Sequence, residues 1–203
     1  MDKPDLSKLE VEVAYHEDNW QQIKDNALFT IHKKKGKYPD TNWKNRIIRA
    51  EHSPIRTGKY IINIYNCPSF VFGHLVRHFN GSQPFIASLR SDRAEYDETP
   101  NRNTLQDGRF EINYQGFINI SRKRLCNCAS YETRYVWGKV IEAIKETDHE
   151  LYKLCVKECV YRNGLCPEMF SCKYNKSKAF KKELKEYQFL FDGQICEDTK
   201  LGE

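Results

Sequence analysis

The chain has 203 residues, of which 39% are hydrophobic, 13% aromatic and 30% charged, with a formal net charge of +5. This composition excludes a disordered polymer, and the length suits one core better than two, so a single domain over 1–203 is expected. Lys and Arg are interleaved with Asp and Glu, which argues against direct nucleic-acid binding and leaves room for a small phosphorylated ligand held by a few placed guanidinium groups.

No apolar stretch approaches the length of a membrane span, and Met1-Asp2-Lys3-Pro4-Asp5 lacks the apolar core of a signal peptide. The expectation is a soluble protein with no membrane partner, cytoplasmic, or in the host cytoplasm if the source is viral. In that setting the eight cysteines read as reduced thiols or metal ligands and not as disulfides.

In chain order, Leu9-Glu10-Val11-Glu12-Val13-Ala14-Tyr15 alternates apolar and acidic residues, the period of a half-buried strand. Trp20, Ile23, Ala27 and Leu28 then fall at helical spacing behind Asp18 or Asn19 as a cap. Lys33-Lys34-Lys35-Gly36-Lys37 reads as a solvated turn. Trp43, Ile47 and Ile48 mark a second helix starting near Thr41 and ending around His52-Ser53, because Pro54 disfavours helix before it. Lys59 to Tyr65 is β-branched and aromatic, closed by Asn66 and Pro68, and predicts a strand.

Ser69 is placed to cap a helix from Phe70 to Phe79 that stops at Asn80-Gly81. Ser91 to Gly108 is polar and rich in turn formers, and reads as a long loop of functional interest. Helices are predicted from Ile112 to Leu125, from Ala129 to Lys145, and shorter from Asp148. Lys178 to Tyr187 forms a charged amphipathic helix before a ragged tail. The fold class expected is α/β (α+β), an antiparallel sheet packed with helices.

Chemistry concentrates in Gly73-His74-Leu75-Val76-Arg77-His78 followed by Ser88-Leu89-Arg90. Cations near the end of a helix suit its dipole, which explains Arg77 and His78 as capping residues. An Arg pair with a hydroxyl close by also suits phosphate oxygens. Cys155, Cys159, Cys166 and Cys172 form a second cluster, with Cys126-Asn127-Cys128 upstream. Four thiolates suit structural zinc, while Cys155 and Cys159 alternatively share one buried helix face.

With Ser53-Pro54 before a strand, Pro68-Ser69 before the motif helix, Arg77-His78-Phe79, and Ser88-Leu89-Arg90-Ser91, the chain resembles the flavin-dependent thymidylate synthases over about two thirds of its length. That family carries Arg-His-Arg, a spacer containing Asn-Glu, then Ser-x-Arg-Tyr. Here Phe79 stands at the third position, and Pro84-Phe85-Ile86 stands where Asn-Glu falls. Asn113, Asn119, Arg124 and Ala129-Ser130-Tyr131-Glu132 follow the family order downstream.

The resemblance implies FAD as cofactor, with NADPH and methylenetetrahydrofolate as co-substrates, for reductive methylation of dUMP to dTMP. It implies flavin contacts from Arg77, His78, Asn113 and Asn119, and substrate contacts from His74, Arg77, Ser88, Arg90 and Arg124. Ser88 and Arg124 would stand at the reacting ring, in a homotetramer whose sites are shared between subunits. Two alternatives remain open: another pyrimidine nucleotide as substrate, or a noncatalytic nucleotide- or zinc-binding module of the same fold.

Overall fold

The computed structural model describes residues 4–34, 36–93 and 99–191. The readings made for Met1 to Lys3, for Lys35, for 94–98 of the long loop and for the tail beyond 191 lie outside these residues. In chain order the elements are β1 (Glu10–His16), α1 (Trp20–Phe29), α2 (Thr41–Arg49), a 3-10 turn (Ser53–Thr57), β2 (Lys59–Pro68), α3 (Ser69–Leu75), β3 (Ser82–Ile86) and β4 (Leu105–Asn113). They continue with α4 (Tyr114–Arg124), α5 (Tyr131–Ala143), α6 (His149–Leu154), α7 (Glu158–Tyr161), a second 3-10 turn (Tyr174–Lys176) and α8 (Lys178–Phe189).

The four strands form one antiparallel sheet in the order β1-β2-β4-β3, so the expected α/β class holds. Alternation decides its faces. Tyr60, Ile62 and Ile64 of β2 and Phe110 and Ile112 of β4 are buried beneath Phe72, Phe117 and Trp137 of the helices. The opposite face carries a polar network, in which Arg109 Nε donates to Asn63 Oδ1 (2.8 Å) and Asn63 Nδ2 donates to Glu12 Oε2 (2.9 Å). Among the described residues no helix is long and apolar enough to cross a membrane.

Local chemistry starts several helices. Asp40 accepts from Trp43 N, Ser130 from Thr133 N and Ser177 from Phe180 N, each satisfying an otherwise orphaned amide of the first turn. Ser69 does otherwise: its hydroxyl donates to the carbonyls of Asn101 and Arg102, tying α3 to the segment before β4 instead of capping the helix.

Three expected boundaries change. The motif helix ends at Leu75 and not at Phe79, because Arg124 Nη2 donates to the His74 carbonyl (2.7 Å), the acceptor that a continuing helix would offer to His78 N. His78 N turns instead to Leu75 O (3.0 Å). The polar stretch before Gly108 is not all loop, since β4 begins at Leu105, and the helix expected from Ile112 begins at Tyr114. Residues Arg109 to Asn113 alternate exposed or half-buried with buried positions, a strand period that their polar setting obscures. The third change is β3 itself, a short edge strand whose Pro84 is tolerated because an edge leaves one side without ladder bonds.

The turn into β3 rests on Gly81, which adopts φ +84° and whose carbonyl accepts from Asn113 N (2.9 Å). A Cβ there would lie 2.5 Å from Asn113 Oδ1, and one on Gly116 would run into the Gly81 carbonyl oxygen. Two glycines therefore let α4 start directly against the end of the α3–β3 turn. A smaller apolar cluster of Val156, Cys159, Val160 and Phe180 joins α7 to α8 beside the main core.

Candidate functional site

The C-terminal ends of α3 and α4 and the start of α5 meet at one corner. Arg124, the last residue of α4, reaches across it: Nε donates to His78 Nε2 (2.8 Å) while Nη2 holds the His74 carbonyl. The accepting His78 nitrogen must be unprotonated, and burial with the nearby Arg124 and Lys123 charges lowers its pKa to about 4, keeping the ring neutral. The His74 ring meets Thr133 Oγ1 at 2.8 Å, and Thr133 Oγ1 accepts from Ser130 Oγ (2.9 Å). The Thr133 hydroxyl, with two lone pairs and one proton, serves His74 Nδ1 in either tautomer and so fixes the ring's place without fixing its proton. Burial first, then Arg124, Arg77 and Arg102, lower the His74 pKa as well.

Positive charge is therefore crowded here. Arg77 is exposed just beyond α3, and Arg102 stacks over Phe70 at 4.6 Å from the ring centre. Burial and then Arg77 lower the Arg124 pKa, and both acceptors that Arg124 engages are neutral. Among the described residues no carboxylate pairs with it. A half-buried guanidinium without a counter-ion is a ready anion subsite, because it cannot shed its charge at ordinary pH.

His74, Arg77, His78 and Arg124 are brought together, whereas the other expected positions are dispersed. Ser88 and Arg90 follow β3 at the end opposite Arg77, and five strand residues at about 3.3 Å each separate the two ends. Arg90 forks onto Asp92 (2.9 and 2.7 Å) and its amide donates to Ser88 Oγ (3.2 Å). Asn113 caps α4 by accepting from Gly116 N (2.8 Å), and it lines a small cavity of about 270 Å³ together with Arg56, Lys59 and Phe79. Asn119 faces away from Arg124, accepting from Gln115 Nε2 (3.2 Å) within a network centred on Arg122 and Glu51.

The cysteines regroup. Cys155, Cys159, Cys166 and Cys172 do not converge on one point; Cys172 lies instead with Cys126 and Cys128, their three sulfurs within 4.8 Å of one another. Cys155 is buried, and burial pushes its thiol up to about 12, as suits an inert core thiol. Sequence reasoning missed Thr133, although the neighbouring Ala129-Ser130-Tyr131-Glu132 run was singled out, and Arg102, for which no local signal exists. It also missed a cavity of about 930 Å³ between α5, α6 and α8, lined by Ile141, Tyr152, Cys155 and Tyr187 among others, because α8, which forms one wall, lies far along the chain from the other two helices.

No family model and no curated protein sequence matches this chain. Solved structures match it in fold. One is the flavin-dependent thymidylate synthase ThyX of Helicobacter pylori complexed with FAD and dUMP, at 12% identity and a TM-score of 0.59, covering 73% of this chain and 100% of that one. A second structure of ThyX from Helicobacter pylori with FAD and dUMP aligns at 14% identity and a TM-score of 0.57, covering 73% and 99%. Identity this low carries the likeness of fold.

Proposed function

We propose that the chain is a flavin-dependent enzyme acting on a pyrimidine nucleotide, with dUMP as substrate and dTMP as product. The observation that carries the reading is Arg124, a half-buried guanidinium held only by neutral acceptors, with Arg77 beside it. Such a site favours an anionic ligand, and a nucleotide phosphate or an ionising pyrimidine ring satisfies it. The likeness in fold to ThyX structures holding FAD and dUMP supports the choice of ligands.

The donor set fits an FAD pyrophosphate and a nucleotide phosphate: exposed Arg77 offers donors at the corner, and Arg124 Nη1 has no partner among the described residues. Bound FAD, reduced by NADPH, would supply hydride, and methylenetetrahydrofolate the carbon. What this chain's residues do is narrower. Arg124 orients the anion and stabilises charge developing on the ring, His78 fixes the Arg124 plane by accepting from Nε, and Thr133 fixes the His74 ring. Ser88 and Arg90, separated from this corner by the length of β3, would serve the site of a neighbouring subunit in a homotetramer with shared sites. Light scattering tests that arrangement, and a monomer binding FAD tightly would refute it.

Two contacts favour the alternative of a noncatalytic module: Arg90 is already forked to Asp92, and Asn113 is spent as a helix cap. The deciding experiment adds FAD and titrates dUMP against the flavin absorbance of wild type and Arg124→Lys. Lys keeps the charge but cannot hold two acceptors and an anion in one plane, so affinity should fall on the order of tenfold, equivalent to about 1.5–3 kcal/mol. Equal affinity in the two proteins would remove dUMP as the ligand, and no flavin uptake by either would favour the noncatalytic module.

A further inference from the structure

The residues from Arg162 to Ser177 fold back beneath the end of α4 with little core of their own. Among them Leu165, Met169 and Phe170 are 72%, 93% and 86% exposed. The apolar cluster nearby is small, too small to order a segment of this length by burial alone. Tyr174 donates to Glu183 and Asn163 accepts from Gln188, which tie the segment to α8, but its polar ties to the end of α4 are thin: Lys123 bridges to Glu168 at 3.3 Å, and Cys128 Sγ approaches the Phe170 carbonyl at 3.5 Å. Yet at this seam Cys126 and Cys128, just past α4, meet Cys172 with all three sulfurs within 4.8 Å.

From this convergence we infer a zinc site formed by Cys126, Cys128 and Cys172, which staples the 162–177 segment to the end of α4. The inference is independent of the nucleotide reading. Zinc prefers thiolates at about 2.3 Å in tetrahedral array, which sets ligand sulfurs about 3.8 Å apart, so a closure of about 1 Å would complete the set. Cys126-Asn127-Cys128 supplies two ligands from one turn and Cys172 the third from a remote loop, so binding cross-links segments that few other contacts join. An oxygen donor, from water or from Glu168, takes the fourth position. Each bound thiol releases its proton to solvent, and no redox step is involved.

The test is elemental analysis of the full-length protein, purified under reducing conditions and equilibrated with zinc before removal of free metal. One zinc per chain is expected, with loss from Cys126→Ser, Cys128→Ser and Cys172→Ser and retention in Cys155→Ser and Cys166→Ser. Cys128 and Cys172 are exposed, so their replacement leaves the core intact and keeps the result interpretable. Cadmium in place of zinc should give a thiolate charge-transfer band that falls in each of the three variants and is unchanged in the other two. A protein that takes up no zinc, or one whose zinc survives Cys128→Ser and Cys172→Ser, overturns the assignment.

Discussion

Arg122 and Arg124 sit two residues apart on the same helix and are treated in opposite ways by the fold. Arg122 has its charge answered, although its buried Nε–H has no acceptor among the described residues: it pairs with Glu51, its guanidinium lies 3.5 Å from the centre of the Tyr161 ring, and Gln115 ties the far oxygen of Glu51 back to α4 at 2.6 Å. Arg124, turned by about 200° around the axis, meets only an imidazole nitrogen and a backbone carbonyl, with a second arginine near it. One arginine is structural because its charge is cancelled within the chain. The other keeps its charge uncancelled within the described chain, which leaves it open to an anion.

Asp148 makes the same point with the opposite sign. It is 1% exposed, and burial raises its carboxyl pKa to about 6 although the Tyr114 hydroxyl faces it. A buried carboxylate can relieve its isolation by taking up a proton. An arginine has no such exit, which is why an uncompensated Arg124 points to a ligand while an uncompensated Asp148 points only to pH dependence.

The largest expected effect comes from breaking the answered arginine. Arg122→Met leaves Glu51 half-buried without its partner and should cost about 3 kcal/mol or more in urea unfolding. If the loss is small, the pair is mere surface charge and the contrast between the arginines fails. Asp148→Asn comes next and should stabilise the protein. The folded carboxyl holds its proton more tightly than the unfolded one, so its contribution is complete below 3.8 and lost as pH rises through about 6. Relative to wild type, the Asn variant should be unchanged near the low end of that window and more stable by up to about 3 kcal/mol above it. Thermal unfolding across the window checks the sign, and a gain confined to low pH would refute it.

Arg124→Met removes bonds to two neutral acceptors and should cost only about 1–2 kcal/mol of stability, with weakened, salt-sensitive phosphate binding as the main consequence. Inorganic phosphate titrations at two ionic strengths read this directly, and unchanged binding would mean the anion goes elsewhere. The smallest effect should be Lys59→Ala, which breaks an exposed pair with Glu111 and should change stability by under about 1 kcal/mol. A larger loss would show that charge pairing on the outer sheet face matters as much as the buried pair at Arg122.

The sequence alone was enough for the two long strands, whose signal lies in neighbours along the chain. The alternation of Leu9 to Tyr15 and the β-branched, aromatic run of Lys59 to Tyr65 became β1 and β2, whereas the caps expected at Asn19 and Ser69 did not form and Asp40, Ser130 and Ser177 cap other helices instead. The resemblance grouped His74, Arg77, His78 and Arg124 with Ser88, Arg90, Asn113 and Asn119, and only the first four meet. Tertiary structure decided the rest. β3 carries a proline and exists only because β4 pairs with it, and α3 stops at Leu75 because an arginine from another helix takes the His74 carbonyl. The thiols that meet come from either end of a gap of more than forty residues, and only Cys172 belongs to the stretch where cysteines are dense. Arg122 and Arg124 look alike in sequence. What separates them is the presence of Glu51 on one side of α4 and of two neutral histidine groups on the other, a difference in partners that only the packed chain supplies.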